Sequence, residues 1–227
     1  MNLKILNELD RILKRNPSLE SDRLSLCQVV NGVFDIELDN ISPVVSISEL
    51  ADIIDNEVLT KYFSKVWQPE TKKYKYSGLS IIDEVNAMNP TAVIDIGCGY
   101  NEFRGKIQNL IGIDPYNHRA DVKATVLEYQ VTDIKYDVAI CLGSINFGSS
   151  DKIIKELTAA VNLVKDGGVL YFRVNPGQQH TAPESQWINF YDWDPVFISN
   201  MAKQLNCELL AIRKDLNRIY FVWRKAK

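Results

Sequence analysis

Histidine occurs only twice in these 227 residues and cysteine four times. Cys27, Cys98, Cys141 and Cys207 stand far apart, with no C-x-x-C pair, and only His118 and His180 could join them. That set has neither the spacing of a structural zinc site nor that of a disulfide framework. It predicts no bound metal, reduced thiols and a cytoplasmic location. No apolar run approaches the ~20 residues of a membrane-crossing helix, and the polar start MNLKILNELD predicts no secretory signal. Positive charge is not in excess either. Lys and Arg number 26 against 29 Asp and Glu, a net charge of −3, which argues against broad, non-specific attraction to nucleic acid while leaving room for a local basic groove. Repeats and low-complexity tracts are missing as well.

What is there is ordinary in bulk and informative in detail. A hydrophobic content of 46% with 24% charged residues describes a globular chain, long enough for one domain with a sizeable elaboration or at most two small ones. The spacing of Ile5, Leu6, Leu9, Ile12 and Leu13 predicts a helix ended by Asn16-Pro17. A second helix is expected from about Glu20 to Val30, stopped by Asn31-Gly32. Alternation of Phe34, Ile36 and Leu38 with acids then predicts a short extended piece. Ser46-x-x-Glu49 reads as a capping box opening a third helix, whose apolar face continues through Val58, Leu59, Tyr62, Phe63 and Val66. Residues 1–76 thus form a mainly helical region without a catalytic signature, expected to cap the main domain and to help select a substrate.

Residues 77–227 alternate between strand and helix patterns. A helix near Gly78–Ala87 precedes a first strand at Ala92–Ile96; further strands are expected at Leu110–Ile113, Val122–Val126, Asp137–Leu142 and Val169–Val174. Ile153, Ile154, Leu157, Val161 and Val164 mark a helix, and Asp194-Pro195 opens another. Two last strands, near Glu208–Arg213 and Arg218–Trp223, are joined too tightly to be anything but antiparallel. Within this pattern the most telling stretch is VIDIGCG, residues 93–99. It is a buried strand carrying Asp95 that runs into a turn, Gly97-Cys98-Gly99, where the backbone can bend sharply and approach a bound molecule. Asp114, seventeen residues after Gly97, ends the next apolar run, at the place where a carboxylate can accept hydrogen bonds from a ribose.

These residues resemble the class I S-adenosylmethionine-dependent methyltransferases, whose first motif reads acid-x-Gly-x-Gly-x-Gly. The resemblance covers roughly residues 77–227. It implies a Rossmann-like α/β fold, a mostly parallel sheet finished by an antiparallel hairpin, with S-adenosylmethionine as cofactor. Carried over by position, Asp95, Gly97, Cys98 and Gly99 would line the methionine part and the ribose. Asp114 would hold the ribose hydroxyls, with Pro115 and Tyr116 along the adenine edge. Thr125 and Val126 fall where the family often has an acid and an apolar residue against adenine, and Leu142 and Gly143 pass beneath the sulfonium. The chain departs from the family in placing Asn101 at the third glycine and Thr125 at the acid, and in leaving only seven residues between Asp114 and Val122.

For catalysis the candidates are His180 and Glu184, both in the polar loop GQQHTAPES after the Val169–Val174 strand, where family members place substrate-facing residues. A histidine with an ordinary pKa near ~6.5 can take up a proton as a methyl group is transferred. Trp187, Phe190, Tyr191 and Trp193 could stack on a flat acceptor or pack a loop, and Lys72, Lys73 and Lys75, interleaved with Tyr74 and Tyr76, could grip phosphates or be a solvated linker. After the fourth expected strand the chain reads CLGS, without the tetrapeptides of amino-methylating nucleic-acid enzymes. The expected reaction is therefore methyl transfer to an oxygen or nitrogen of a small-molecule acceptor, with no membrane partner and no motif favouring nucleic acid. The alternatives are a noncatalytic S-adenosylmethionine-binding protein and, less well matched because Glu102 stands at the last glycine of G-x-G-x-x-G, a nicotinamide-dependent oxidoreductase.

Overall fold

The computed structural model describes residues 2–129 and 134–227. The chain divides into two compact units, Met1–Trp67 with His180–Asn189, and Gln68–Gln179 with Phe190–Lys227.

The first unit is helical. Helix α1 spans Leu3–Arg15, α2 Arg23–Phe34 and α3 Ile47–Lys61, the last continued by one π-helical turn over Tyr62–Val66. Their apolar faces meet through Ile5, Leu9, Leu26, Val30, Leu50 and Ile54, all fully buried. The capping box forms as expected: Ser46 Oγ accepts from the Glu49 amide, and Glu49 Oε2 accepts from the Ser46 amide at 2.8 Å. Helix α2, however, runs through Asn31-Gly32. Asn31 keeps its backbone helical and uses its side chain to bond both the amide and the carbonyl of Leu38, at 2.9 Å each. The helix ends instead at Asp35, which takes the left-handed conformation (φ 54°). The extended piece expected over Phe34–Leu38 is therefore the last helical residue and a loop folded back on α2.

His180–Asn189 belongs to this unit because α1 clamps it. Asn2 Nδ2 donates to the Trp187 carbonyl at 2.7 Å, Lys4 Nζ donates to the carbonyls of Gln186 and Ile188, and the Phe34 and Trp187 rings meet edge to face at 4.8 Å.

The second unit carries a six-stranded sheet in the order β2-β1-β3-β4-β6-β5. The strands are β1 Val93–Ile96, β2 Leu110–Ile113, β3 Tyr136–Leu142, β4 Val164–Val174, β5 Cys207–Asp215 and β6 Arg218–Lys225. The first four are parallel, and β6 is antiparallel to both β4 and β5. The fold is thus the expected α/β one, a Rossmann-like sheet closed by an antiparallel hairpin. One face buries Ile94, Ala139, Leu170, Phe172, Phe221 and Trp223 under α5 (Ser150–Leu163) and α6 (Pro195–Gln204). The other buries Val93, Val138, Ile140, Tyr171 and Val222 under α4 (Ile81–Ala87) and the turns carrying Phe103 and Ile107. Asp194 opens α6 as read from sequence, accepting from the amides of Val196 and Phe197.

Residues 68–76, placed with the helical region by sequence, fall in this second unit. The buried Asp215 carboxylate, at the end of β5, accepts from the amides of Lys75, Tyr76 and Ser77 and from the Ser77 hydroxyl, and so ties the segment to the sheet. A second difference lies beside β2. The strand expected at Val122–Val126 is reduced to a single bridge between Val122 and Ile113. Asp121 Oδ2 accepts from the Gly112 amide at 2.8 Å and so occupies the edge of β2. Thr125 and Glu128 then close a separate turn, each side chain accepting from the other's amide.

Candidate functional site

The carboxyl ends of the parallel strands gather the glycine turn, three polar loops and two buried carboxylates. Gly97 (φ 69°) and Gly99 (φ 52°) both lie in the left-handed region. A Cβ on Gly97 would sit 2.2 Å from Ser144 Cβ, so only glycine lets the turn after β1 lie against the loop after β3. The amides of Gly97 and Cys98 both donate to the Ile113 carbonyl, which draws the turn towards the end of β2. Asn101, at the family's third glycine, adopts φ 55° and donates from Nδ2 to the Arg119 carbonyl and to Asp121. It therefore supplies the same backbone conformation that glycine would.

Asp114 is buried and already well supplied with donors. Its Oδ2 accepts from the Gly99 amide at 2.9 Å, and its Oδ1 from the amides of Tyr116 and Asn117 at 2.8 Å each. The carboxylate thus fixes the glycine turn to the Pro115–Asn117 turn, and three of its roughly four lone-pair directions are occupied. Asp95 is its opposite. It is 3% exposed and accepts no hydrogen bond among the described residues. Burial, reinforced by the Asp114 charge and opposed by Arg173, pushes its carboxyl up to about 8. Ser144 Oγ is likewise buried without a partner. Gly143 (φ 103°) precedes it, and its Cβ position is open except for Arg173 Nη2 at 3.6 Å.

Arg173 organises the loop from behind. Its guanidinium donates to the carbonyls of Leu142 and Ser77 and lies 4.1 Å from the Tyr74 ring centre. These partners assign it to satisfying backbone groups. Asn146, unremarked in the sequence, fixes the chain after β3: its Oδ1 accepts from the Asn175 amide and its carbonyl from the Tyr191 amide. A polar residue four positions beyond a buried strand carries no periodic signal that could have found it. Cys98 and Cys141 are pushed above the ordinary thiol range by burial and by Asp95, which suits packing rather than nucleophilic chemistry.

The other predicted residues separate by unit. Thr125 spends its amide and hydroxyl on Glu128 Oε2, while Val126 packs into the sheet core. Phe190, Tyr191 and Trp193 belong to the second unit. Phe190 pairs with Phe147, Tyr191 and Trp193 pack against Phe197, and Trp193 Nε1 donates to the Ile145 carbonyl, so packing accounts for them. His180 and Glu184 lie in the first unit, where His180 Nδ1 bonds the Tyr62 hydroxyl at 2.8 Å. Among the described residues no group of three or more His, Cys, Asp or Glu could hold a metal ion, and no helix is long and apolar enough to cross a membrane.

A parallel sheet with a glycine turn after β1, an acid ending β2 and a terminal antiparallel hairpin defines the class I methyltransferase fold. Solved structures agree. The chain is similar to the 1,6-didemethyltoxoflavin-N1-methyltransferase of Burkholderia thailandensis, with a TM-score of 0.59 and 15% identity over 82% of this chain and 93% of that one. It is similar to the CcbJ methyltransferase of Streptomyces caelestis (TM-score 0.55, 13% identity, 74% and 96% of the two chains) and to an S-adenosylmethionine-dependent methyltransferase of Clostridium acetobutylicum (TM-score 0.51, 16% identity, 79% and 99%). No protein-family model matches the chain, and no curated protein matches it in sequence.

Proposed function

We propose that this chain is an S-adenosylmethionine-dependent methyltransferase acting on an oxygen or nitrogen of a small-molecule acceptor. The observation that carries the reading is the 3%-exposed Asp95, which accepts no hydrogen bond among the described residues, together with the orphaned Ser144 Oγ, flanking a turn where a Cβ on Gly97 would collide. Buried polar groups are ordinarily satisfied. A carboxylate and a hydroxyl left open beside a close-approach backbone fit a ligand that is cationic and rich in hydrogen-bonding groups. S-adenosylmethionine meets that description, and when bound it supplies a methyl group already activated by its sulfonium. Asp95 offers the complementary charge once a bound cation has displaced its proton. Gly97, Cys98 and Gly99 offer close-lying backbone, Asp114 holds that turn and keeps lone-pair capacity towards a ribose, and Pro115, Tyr116, Leu142 and Gly143 line the remainder. Val126 and Thr125 are the weakest members of the set, since Thr125 already serves Glu128.

Methyl transfer asks little of a protein beyond alignment and exclusion of water, so a dedicated base is optional. Where the acceptor must lose a proton, His180 and Glu184 are the candidates, and the helical unit that holds them would select the acceptor. The four free cysteines suit a cytoplasmic setting.

Calorimetry with S-adenosylhomocysteine tests the reading. Saturable heat from the wild-type chain is expected, with at least tenfold weaker binding by Asp95→Asn. Asp114→Ala should weaken binding too, by releasing both turns. Absence of heat from the wild type would refute the reading. The shortened sheet edge at Val122 favours one second reading, a protein that binds the cofactor without transferring its methyl group. Transfer of labelled methyl from S-adenosylmethionine into a metabolite extract would exclude it.

A further inference from the structure

The first unit carries a half-open cavity of about 160 Å³ that the glycine-turn chemistry does not use. Its floor is apolar and aromatic, with Phe34 and Tyr62 buried and Trp187 set edge-on to Phe34. Trp187 Nε1 is sealed from solvent and has no partner, so what the indole turns to the cavity is carbon rather than its N–H. The Tyr62 hydroxyl is engaged by His180 Nδ1. The charges on the wall do not cancel. Lys61 Nζ is held at 2.6 Å by both the carboxylate and the carbonyl of Asp35, which neutralises that pair, while Glu184 has no ion-pair or hydrogen-bond partner among the described residues.

Aromatic carbon surface beside one uncompensated carboxylate is the chemistry that holds an organic cation: the ring quadrupoles and the carboxylate attract the same positive charge. The size sets a limit as well, because a cavity of ~150 Å³ holds one benzene-sized molecule. We infer that this cavity is a binding site for a small alkyl- or arylammonium ion, seated on Phe34, Tyr62 and Trp187 and paired with Glu184. Binding itself does not depend on the methyltransferase reading. Only the further role of the bound amine as a methyl acceptor rests on it.

Titration of the full chain with tetramethylammonium chloride, followed by NMR at the Trp187 indole with sodium chloride matching the ionic strength, tests the site. Tert-butanol serves as a neutral ligand of similar size. Saturable shifts from tetramethylammonium are expected, with affinity at least fivefold lower in Glu184→Gln and no saturable response to tert-butanol. Glu184 is exposed, so that variant should keep its fold. No saturation, equal binding of tert-butanol, or unchanged affinity in Glu184→Gln would overturn the inference. Titration of the same sample with S-adenosylhomocysteine separates the two readings. Cofactor binding without ammonium binding sinks the cavity assignment alone, and the reverse outcome sinks the transferase assignment alone.

Discussion

Burial without a partner makes Asp95 the residue whose protonation should respond to a ligand. Its carboxyl is pushed up to about 8, chiefly by desolvation, so it holds its proton at neutral pH. A cation bound beside it favours the ionised form, so binding should expel that proton. The affinity for S-adenosylmethionine is therefore expected to rise with pH up to about 8 and to flatten above it, and Asp95→Asn should abolish the slope. Calorimetry in buffers of different ionisation enthalpy would read the proton directly. Glu156, on α5, is the same device without a ligand. Burial pushes its carboxyl up to about 7 against the opposing charge of Lys152, and its Oε2 has no partner. The folded chain therefore keeps a proton that the unfolded chain releases, and stability contributed at acid pH is lost as pH rises from about 4.5 to about 7. Glu156→Gln should remove that loss, worth at most about 3 kcal/mol, measured as urea midpoints on either side of the window. Neither carboxylate announces its state in sequence. Asp95 could be placed from its motif, but whether it finds a donor depends on residues brought together only by the fold.

At the scale of elements, the turn after β1 and the start of α1 are the most exposed to single changes. Gly97→Ala would place a methyl group 2.2 Å from Ser144 Cβ and force an L-residue to φ 69°. The left-handed conformation costs ~1–2 kcal/mol and overpacking ~1–3 kcal/mol, so a destabilisation of about 2–5 kcal/mol with loss of cofactor binding is expected by thermal denaturation and calorimetry. Asn2 caps α1 through Lys4 and also bonds Asp55 and the Trp187 carbonyl. Asn2→Ala should cost about 1–3 kcal/mol, more than a simple cap, in chemical unfolding. Periodicity located β1, β2, β3 and the β5–β6 hairpin well, because a buried strand and a tight antiparallel turn leave local traces. It failed where a side chain reached across the chain. Asn31 looked like a helix stop yet bonds Leu38, Asp121 takes the edge of β2 that a third strand would have used, and Asp215 draws residues 75–77 to the sheet. Residue type alone cannot foretell such partners.

The whole molecule was legible as a class I methyltransferase sheet with a helical addition, since the glycine turn and the acid each directly follow a recognisable strand and the chain closes on a tight hairpin. The strands themselves lie in the order β2-β1-β3-β4-β6-β5 rather than in chain order. What could not be read was that ten residues beyond β4 return to the helical unit. Their attachment comes from Asn2, Lys4 and Phe34, and it leads to a prediction for a chain lacking residues 1–67. Without those partners the segment His180–Asn189 should become the preferred site of limited proteolysis, while the proposed function requires that S-adenosylhomocysteine still bind the second unit. Cleavage elsewhere, with His180–Asn189 intact, would contradict this account of how the units are built.

Because the first unit is made of two stretches separated by more than a hundred positions, its assembly has an order imposed by synthesis. The amino-terminal helices leave the ribosome first, yet the piece that Asn2 and Lys4 clamp follows only after four of the six strands have been made. During translation those helices must wait with Phe34 uncovered by Trp187. The nascent protein is therefore most open to chaperones, and to aggregation, in the interval before Trp187 arrives.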